Sequence, residues 1–497
     1  MSMYDLEMHH RAERIQHVAL RRFVPWASVI LALAFSIACG GARQPLGGQP
    51  LPSEYLERQA QARAIESSGL TITEASVRSH MEFLASDALN GRGSGTREEW
   101  MAAEYIAAQF AAWGLEPMGD NGGFVQQVAL ADFDSEGPPT LEAESGLRLT
   151  HGREMLVWSL SRAVISGQLL KYDGQTSVPM GTILLLPEGR AATPVPGASA
   201  LIALAGERET SQWDQRAARA VRVPTEITRL AAAPVTRPSI IYVTPEAHAS
   251  LSALFDRSIV TLRAPIGEPR RSYTWNVVGR LTGSNAVAAE DVIVLGAHID
   301  HVGNRGEGED TIYNGADDDA SGTVAVMELA RALAAGPRPR RTMVFALFGS
   351  EERGGHGAGY FVGLPVVPLD RIVAQIQFEM LGRPDAAVEP QTLWLTGFER
   401  SNLGSALAAR GARLVADPHP DENFFQRSDN IRFARAGVVA HTVSSFGLHE
   451  DYHRPSDEID TIDFPHMTMA IRSMLDPIRW LAGSDFKPEW NPGGKPE

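Results

Sequence analysis

From residue 276 onward, short apolar runs alternate with a segment of helical periodicity. The helix is expected at 321–335, where apolar residues recur at helical spacing until Gly336 and Pro337 end it. The strands are expected at 292–297, 342–348, 372–378, 393–396 and 438–443. Because several of these runs are apolar on both faces, they indicate an α/β fold whose mixed, mostly parallel sheet is flanked by helices.

The rest of the chain has a different sequence pattern from this region. Between residues 129 and 270, short β-rich runs at 163–170, 181–186, 200–205, 239–243 and 258–262 are separated by Pro and Gly, which predicts an inserted β-rich domain. We therefore divide the 497 residues into a signal peptide (1–38), a flexible tether (39–70), an N-terminal helical part of the main domain (71–128), the insert (129–270), the main domain (271–485) and a tail (486–497).

The leader predicts export. Arginines precede an apolar stretch at 23–38, which is short for a membrane span and typical of a secretory signal. The single cysteine, Cys39, directly follows it and resembles the lipid-bearing cysteine of a bacterial lipoprotein, although Ser36 stands where Leu is usual. We expect an exported protein anchored by lipid at the membrane, facing the periplasm or cell exterior. A plain signal peptide or a short anchor helix are the alternatives.

Acidic and imidazole side chains follow several of the predicted strands. They are His298, Asp318, Glu351, Glu352, Glu379 and His453. In open α/β sheets, ligands bind outside the carboxyl ends of the strands, so loops at one edge bring distant residues together. Any one such residue is more often solvated or packed than functional, but the joint pattern predicts a single metal site.

The residue types indicate zinc. Imidazole and carboxylate are its usual ligands, and one Asp can bridge two ions through its two oxygens. Two such ions polarise a carbonyl and activate water, while a carboxylate outside the ligand set takes and returns the proton. The adjacent pair Glu351 and Glu352 allows one ligand and one base. Asp300 is placed to accept the second N–H of His298 and hold the ring.

These residues lie in motifs that resemble the co-catalytic zinc exopeptidases (clan MH), the group of bacterial leucyl aminopeptidase, aminopeptidase Y and glutamate carboxypeptidase. The matching stretches are GAHIDHVG, NGADDDASGT, FALFGSEERGGHGAGYF, FEMLGRPD, FFQRSDNIRFARAG and YHRPSD, with GRGSGTREEWMAAEYIAAQFAAWGLEPMG near the N-terminus. The resemblance spans 71–128 and 274–470. It implies an aminopeptidase that binds two Zn²⁺ ions, and the insert resembles a protease-associated domain.

By position, the resemblance implies that Asp318 bridges both ions and precedes a cis peptide bond. Glu352 and His453 would complete one site, and His298 and Glu379 the other. Glu351 would be the general base, Asp300 would orient His298, and Tyr452 would contact the oxyanion. The family usually has Asp at position 379, so occupancy of the second site stays open.

Three alternatives share the scaffold: a glutamate-type carboxypeptidase, a glutaminyl cyclase, and a receptor-like relative without catalysis. His301, His356 and His449 could line the site, but the favoured interpretation is a hydrogen-bonded or exposed histidine. Phe424, Phe425, Arg427, Ser428 and Asp429 are interpreted as either a pocket wall or plain packing and turn residues. A net charge of −15 without a basic cluster excludes nucleic acid as an expected partner. The expected partner is a peptide substrate; the preferred residue and the oligomeric state are not readable from the sequence.

Overall fold

The computed structural model describes residues 71–233, 237–306 and 308–496. The predicted signal peptide, the tether and Cys39 lie outside the described residues. Over the described ranges, none of the helices combines the length and the apolar character needed to cross a membrane.

A large mixed sheet forms the centre of the fold. From one edge to the other its strands are Leu414–Ala416, Leu393–Leu395, Ala440–Ser444, Ile372–Phe378, Val292–His298, Thr342–Phe348, Arg270–Leu281, Val125–Asp132 and Glu226–Ile227, with Glu116–Pro117 paired beside Arg270–Leu281. The four strands from Ala440–Ser444 to Thr342–Phe348 are parallel, and most pairings outside them are antiparallel. The α/β prediction is confirmed, with the parallel part confined mainly to the centre.

Both faces of the parallel strands are buried, as their sequences predict. In Val292–His298, Ile293 and Leu295 pack into one core, and Val292 and Val294 pack into the core on the opposite face. The first core is covered by the helices Glu74–Leu84, Arg97–Ala112, Gly322–Ala335 and Phe464–Gly483, and the second by His356–Gly363 and Asn430–Arg435. Because successive side chains of a strand point to opposite faces, an unbroken apolar run is what a covered sheet requires.

A second sheet is formed within residues 140–263. Its strands, in sheet order, are Arg148–Thr150, Thr140–Ala143, Ile259–Arg263, Val164–Lys171, Thr182–Leu185, Ala198–Leu204, Ser239–Val243 and Met155–Ser159. The helices Glu207–Ser211, Trp213–Ala217 and Pro245–Ser252 lie in the same stretch. This sheet has its own apolar core, whereas Glu226–Ile227 leaves it and pairs with Val125–Asp132 in the large sheet.

Shorter elements carry the loops at the carboxyl edge of the large sheet. They include the hairpin Gly303–Asn304 with Ile312–Tyr313, the wide helical turn Ala316–Ser321, and the short turns Asp87–Arg92, Phe424–Gln426 and Ile459–Thr461. The helix Leu403–Ala408 packs in the first core. Further turns lie at Asp120–Gly122, Thr228–Leu230, Ala288–Glu290, Leu369–Arg371, Phe398–Arg400 and Pro420–Glu422.

Candidate metal centre and active site

The five side chains predicted to bind metal meet at the carboxyl edge of the parallel strands. His298 is the last residue of its strand, and Glu379 directly follows the neighbouring strand. Asp318 comes from the wide turn that precedes the helix Gly322–Ala335, and its peptide bond to Asp319 is cis, as the resemblance implied. The convergence follows from the parallel topology, which brings these strand ends to one edge.

The ligand atoms form two groups that share Asp318. His453 Nε2 lies 3.2 Å from Asp318 Oδ2 and 3.1 Å from Glu352 Oε1. His298 Nε2 lies 3.2 Å from the other oxygen, Asp318 Oδ1, and Glu379 completes this second group. Within each group all donor atoms lie within 4.8 Å of one another. One carboxylate therefore faces both positions, which is the arrangement expected of a bridging ligand.

The buried donor atoms fit a pair of metal ions. His298 Nε2, His453 Nε2 and Glu352 Oε1 have no hydrogen-bond partner among the described residues. Leaving such atoms unsatisfied costs about 1–3 kcal/mol each, and a metal ion would satisfy them. Tetrahedral zinc with bonds of about 2.0–2.1 Å sets its donors about 3.3 Å apart, close to the separations found here.

Two further carboxylates fix the loops that carry the donors. Asp319 accepts backbone N–H groups from His298 and Met380, at 3.1 Å each. Asp457 accepts the N–H of Asp317 at 3.0 Å and that of Asp318 at 3.1 Å. The turn around the bridging aspartate is thus hydrogen-bonded to three other segments of the chain.

Asp300 holds the turn of the two glutamates rather than the ring of His298 alone. Its carboxylate accepts the N–H of Glu351 at 2.9 Å, the N–H of Glu352 at 3.3 Å and the hydroxyl of Ser94. His298 Nδ1 lies 3.1 Å from the main-chain oxygen of Asp300 and 3.7 Å from its carboxylate. The ring of His298 therefore lies closer to the main-chain carbonyl of Asp300 than to its carboxylate, which we expected to hold the ring. The carboxylate already accepts hydrogen bonds from three other donors.

Glu351 belongs to neither donor group but lines the same cleft. Burial raises the pKa of its carboxyl well above the usual value; His298 opposes this rise and Glu379 adds to it. Burial likewise raises the pKa of Asp319, with Glu379 and Asp318 adding to the rise against His298. Carboxylates thus outnumber the cationic groups here, and a divalent cation would relieve the imbalance.

Glu379 occupies the position where the resemblance led us to expect Asp. Its Oε2 accepts the hydroxyl of Ser428, and burial raises its pKa to about 7, with Asp318 adding to the rise against His298. The longer side chain still reaches the group that contains His298 and Asp318. One added methylene is therefore accommodated without displacing this carboxylate from the site.

Aromatic side chains form one wall of the cleft beside the donors. Trp394 and Phe424 stack with centroids 5.4 Å apart, Phe446 lies 5.8 Å from Phe424, and Tyr452 lies 5.5 Å from Phe446. Tyr452 also stacks on His453 at 3.9 Å. The remaining lining residues include Met380, Thr396, Arg427, Ser428, Thr442 and Ser444. The pocket-wall interpretation therefore holds for Phe424, Arg427 and Ser428, whereas Phe425 packs in the core on the second face and Asp429 is buried.

The three histidines that we interpreted as hydrogen-bonded or exposed differ in their surroundings. His301 is fully buried within the first donor group. His449 Nε2 lies 2.9 Å from Asp317 Oδ2, beside the bridging turn, and His356 begins a helix outside both groups. For His301 the interpretation was wrong, because neither ring nitrogen finds a hydrogen-bond partner within the described part of the chain.

Arg92 is a residue whose position sequence reasoning missed. Its guanidinium donates to the carbonyl oxygens of Ile299 at 2.9 Å, Asn314 at 2.7 Å, Gly315 at 2.9 Å and Leu84. These carbonyls belong partly to the two loops that carry the histidine and aspartate donors. The motif GRGSG indicated only a break in helical periodicity, and no residue-type signal marks a partner that is a backbone oxygen.

The sequence comparisons agree with this geometry. Residues 276–476 match the sequence model of Peptidase family M28. A protein of Leptosphaeria maculans named "Probable zinc metalloprotease" is 43% identical over 217 residues, 43% of each chain. Leucine aminopeptidase 2 of Trichophyton rubrum is 31% identical over 238 residues, 42% of this chain and 45% of that protein. The chain thus spans less than half the length of these curated relatives.

Among solved structures, an aminopeptidase from Aneurinibacillus sp. strain AM-1 is 19% identical, with 85% of this chain and 97% of that chain covered and a TM-score of 0.47. The family match contains His298, Asp318, Glu352, Glu379 and His453, together with Glu351. Over residues 276–476, this chain is therefore similar in sequence to peptidase family M28.

Proposed function

We propose that the chain is a zinc-dependent aminopeptidase that removes N-terminal residues from peptides. The observation that carries this proposal is the pair of donor groups that share Asp318, with Glu351 facing the same cleft and belonging to neither group. A purely structural metal site would need no free carboxylate beside it. The M28 family match and the name of the Trichophyton relative support the same reading.

Two zinc ions fit the donors. His453, Glu352 and Asp318 would hold one, and His298, Glu379 and Asp318 the other. When bound, such ions polarise the scissile carbonyl and lower the pKa of water into the neutral range. Asp319, Asp457 and Asp300 hold the loops in place without entering either group, so the donors are positioned before metal arrives.

Glu351 is the proposed general base. A water proton passes to its carboxylate as the water oxygen forms a bond to the scissile carbonyl carbon. The C–N bond then breaks, and the same proton is delivered to the leaving amine. The carboxyl must hold the proton between the two steps, and it can do so because Glu351 belongs to neither donor group. Asp300 positions Glu351 through the backbone N–H that it accepts.

Tyr452 is the proposed donor to the developing oxyanion. Its side chain lines the cleft and stacks on His453, so it lies next to the donors. Burial raises the pKa of its phenol, with Asp318 and Glu352 adding to the rise. The phenol therefore keeps its proton near neutral pH and can donate a hydrogen bond as charge develops on the substrate oxygen.

The aromatic wall supports an apolar side chain at the substrate's N-terminal residue. Trp394 and Phe424 stack, Phe446 meets Phe424 edge-on, and the three rings form a mostly buried surface beside the donors. Burying a Leu or Phe side chain there contributes about 1.5–3 kcal/mol relative to leaving it exposed. Peptides that begin with such residues are the proposed substrates.

The test is the replacement of Glu351 by Ala and by Gln. We expect turnover of a leucyl anilide to fall by a factor of about 10²–10⁴, with the zinc content unchanged because Glu351 belongs to neither donor group. Glu399→Gln, an exposed carboxylate outside the cleft, is the matched control and should keep full activity. Full activity of both Glu351 variants would refute the assignment.

A panel of aminoacyl anilides, N-blocked dipeptides and Gln-peptides separates the alternatives. Hydrolysis of N-blocked dipeptides in place of aminoacyl anilides would indicate a glutamate-type carboxypeptidase, and cyclisation of Gln-peptides would indicate a glutaminyl cyclase. A protein that stays metal-free in excess zinc and turns over none of the three substrates would indicate the receptor-like relative.

We also propose, from the sequence of residues 1–39, that the protein is exported and carries lipid on Cys39. The insert is proposed to be a protease-associated domain, supported by its position and its β-rich sequence. Metabolic labelling with a radioactive fatty acid should mark the wild-type protein and leave Cys39→Ala unlabelled. Equal labelling of the two would contradict lipidation at this residue.

A further inference from the structure

His301 lies inside the first donor group although its sequence position gave no reason to count it as a ligand. Its side chain is 0% exposed. Its Nδ1 lies 2.9 Å from Glu352 Oε1 and 3.7 Å from Asp318 Oδ2. The ring centroid is 5.5 Å from that of His453, the histidine already placed in this group. Four side chains therefore surround the first position, and three surround the second.

The contact between His301 and Glu352 lacks hydrogen-bond geometry. Although the two atoms are 2.9 Å apart, both His301 Nδ1 and Glu352 Oε1 remain without a hydrogen-bond partner in the described part of the molecule. His453 Nε2 faces the same carboxylate oxygen and also has no hydrogen-bond partner there. Buried histidine nitrogens are normally hydrogen-bonded. The unpaired nitrogens of His301 and His453 face the same oxygen of Glu352, which indicates that one shared ligand binds both rings.

The spacing of the donors agrees with one shared cation. Around the first position the measured separations are 2.9, 3.1, 3.2 and 3.7 Å. Four ligands of a tetrahedral zinc ion with bonds of about 2.0–2.1 Å lie about 3.3 Å apart. The contacts of His301 fall on either side of this value, and both contacts of His453 fall slightly below it.

Gly315 leaves room for the His301 ring, and a backbone hydrogen bond to Arg92 fixes its loop. A Cβ atom on Gly315 would lie 2.5 Å from His301 Cγ and 2.1 Å from the backbone oxygen of Asp318. Gly315 also has a φ of +57°, which disfavours other residues. In addition, the His301 N–H donates to the Arg92 carbonyl at 3.1 Å, which fixes the backbone of the loop. Backbone contacts and packing therefore hold the ring, while its nitrogens remain available.

We propose that His301 is a fourth protein ligand of the ion held by Glu352, His453 and Asp318. This inference rests on the proposed zinc site and makes its two positions unequal. The first has four protein donors, two of them imidazoles, and the second has three. The ion beside His298 and Glu379 should therefore leave first when zinc is withdrawn.

The experiment is zinc titration of the purified chain with metal analysis after dialysis against graded chelator. The wild-type protein should lose its two ions in separate steps. His301→Ala should bind the more tightly held ion about 10–100-fold more weakly, a loss of the size produced when even an outer partner of a metal ligand is removed. His356→Ala is the control, since its Nε2 is also unpaired in the described structure but lies outside both groups. Unfolding temperatures of the metal-free proteins show whether a variant is folded.

X-ray absorption of the wild-type protein loaded with one equivalent of zinc tests the same point without a substitution. Two imidazole nitrogens per zinc are expected; a single imidazole would overturn the proposal, as would unchanged affinity of a folded His301→Ala. A wild-type protein that binds no zinc would refute the proposed function itself. Two ions bound equally by wild type and variant would refute only the role of His301.

Discussion

Replacing Arg92 by Met should strongly destabilise the fold beneath the metal site. The guanidinium is 1% exposed and donates to four main-chain carbonyls, which belong to Leu84, Ile299, Asn314 and Gly315. Methionine refills much of the volume of the arginine stem but offers no donor. The substitution therefore isolates the loss of the hydrogen bonds from the loss of packing.

The magnitude follows from the carbonyls left without a donor. Each buried oxygen that loses its partner costs about 1–3 kcal/mol, so four would cost at least about 4 kcal/mol. Gly315 keeps one bond, because its oxygen also accepts the N–H of Ala320 at 3.2 Å. Allowing for this, we expect about 3–5 kcal/mol, the range found when one partner of a buried charged network is removed. At about 2 °C per kcal/mol for a domain of this size, Tm should fall by about 6–10 °C.

The assay is scanning calorimetry of the metal-free protein, in which zinc binding cannot mask the loss. Arg97→Met, at an exposed position five residues further on, is the matched control and should change the unfolding free energy by less than about 0.5 kcal/mol. Arg92→Lys should fall between the two, because an ammonium keeps the charge but cannot reach all four carbonyls. A Tm for Arg92→Met within about 1 °C of wild type would refute this account.

Three further predictions concern the second metal position, the cleft and acid stability. Glu379→Asp should weaken zinc binding beside His298, because the shorter side chain gives up the Ser428 hydroxyl bond; unchanged stoichiometry after chelator dialysis would contradict this. Trp394→Ala should raise KM for leucyl and phenylalanyl substrates by about 10-fold and change KM for alanyl substrates little, since the lost wall serves large side chains; equal effects on all three would argue against the wall as the specificity site. Burial lowers the pKa of His441 to about 4, and the unfolded residue titrates near 6.5, so unfolding takes up a proton between these values. Stability should therefore fall as pH drops from about 6.5 towards 4, by about 2 kcal/mol at pH 5, and His441→Gln should show a shallower fall in calorimetry at pH 7 and pH 5.

Much of the central sheet could be predicted from the sequence, because strands that are buried on both faces have unbroken apolar runs. The predicted strands 342–348 and 372–378 coincide with Thr342–Phe348 and Ile372–Phe378. The antiparallel flank was harder to predict. Glu226–Ile227 contributes only two residues to it, and its partner Val125–Asp132 alternates burial and exposure over part of its length. Such short or half-covered strands carry little periodic signal.

For the metal site, the sequence predicted only which types of side chain would act as donors. Strand ends in a parallel sheet meet at one edge, so His298 and Glu379 could be placed together before any coordinates. The surroundings of His301 could not be predicted from the sequence, because a histidine one residue beyond Asp300 could equally lie in solvent or in the core. Its burial depends on the close approach of Gly315, which lies 14 residues later in the chain.

The sequence by itself determined which side chains were available to hold metal, and the topology implied by its apolar runs determined the edge at which they meet. Only the tertiary structure decided how the donors are grouped, that Asp300 holds the turn of Glu351 and that Arg92 supports both loops. The physical reason is that these contacts are made largely with backbone groups, which every residue carries. Arg92 reaches oxygens more than 200 residues away, and only the folded packing selects which ones.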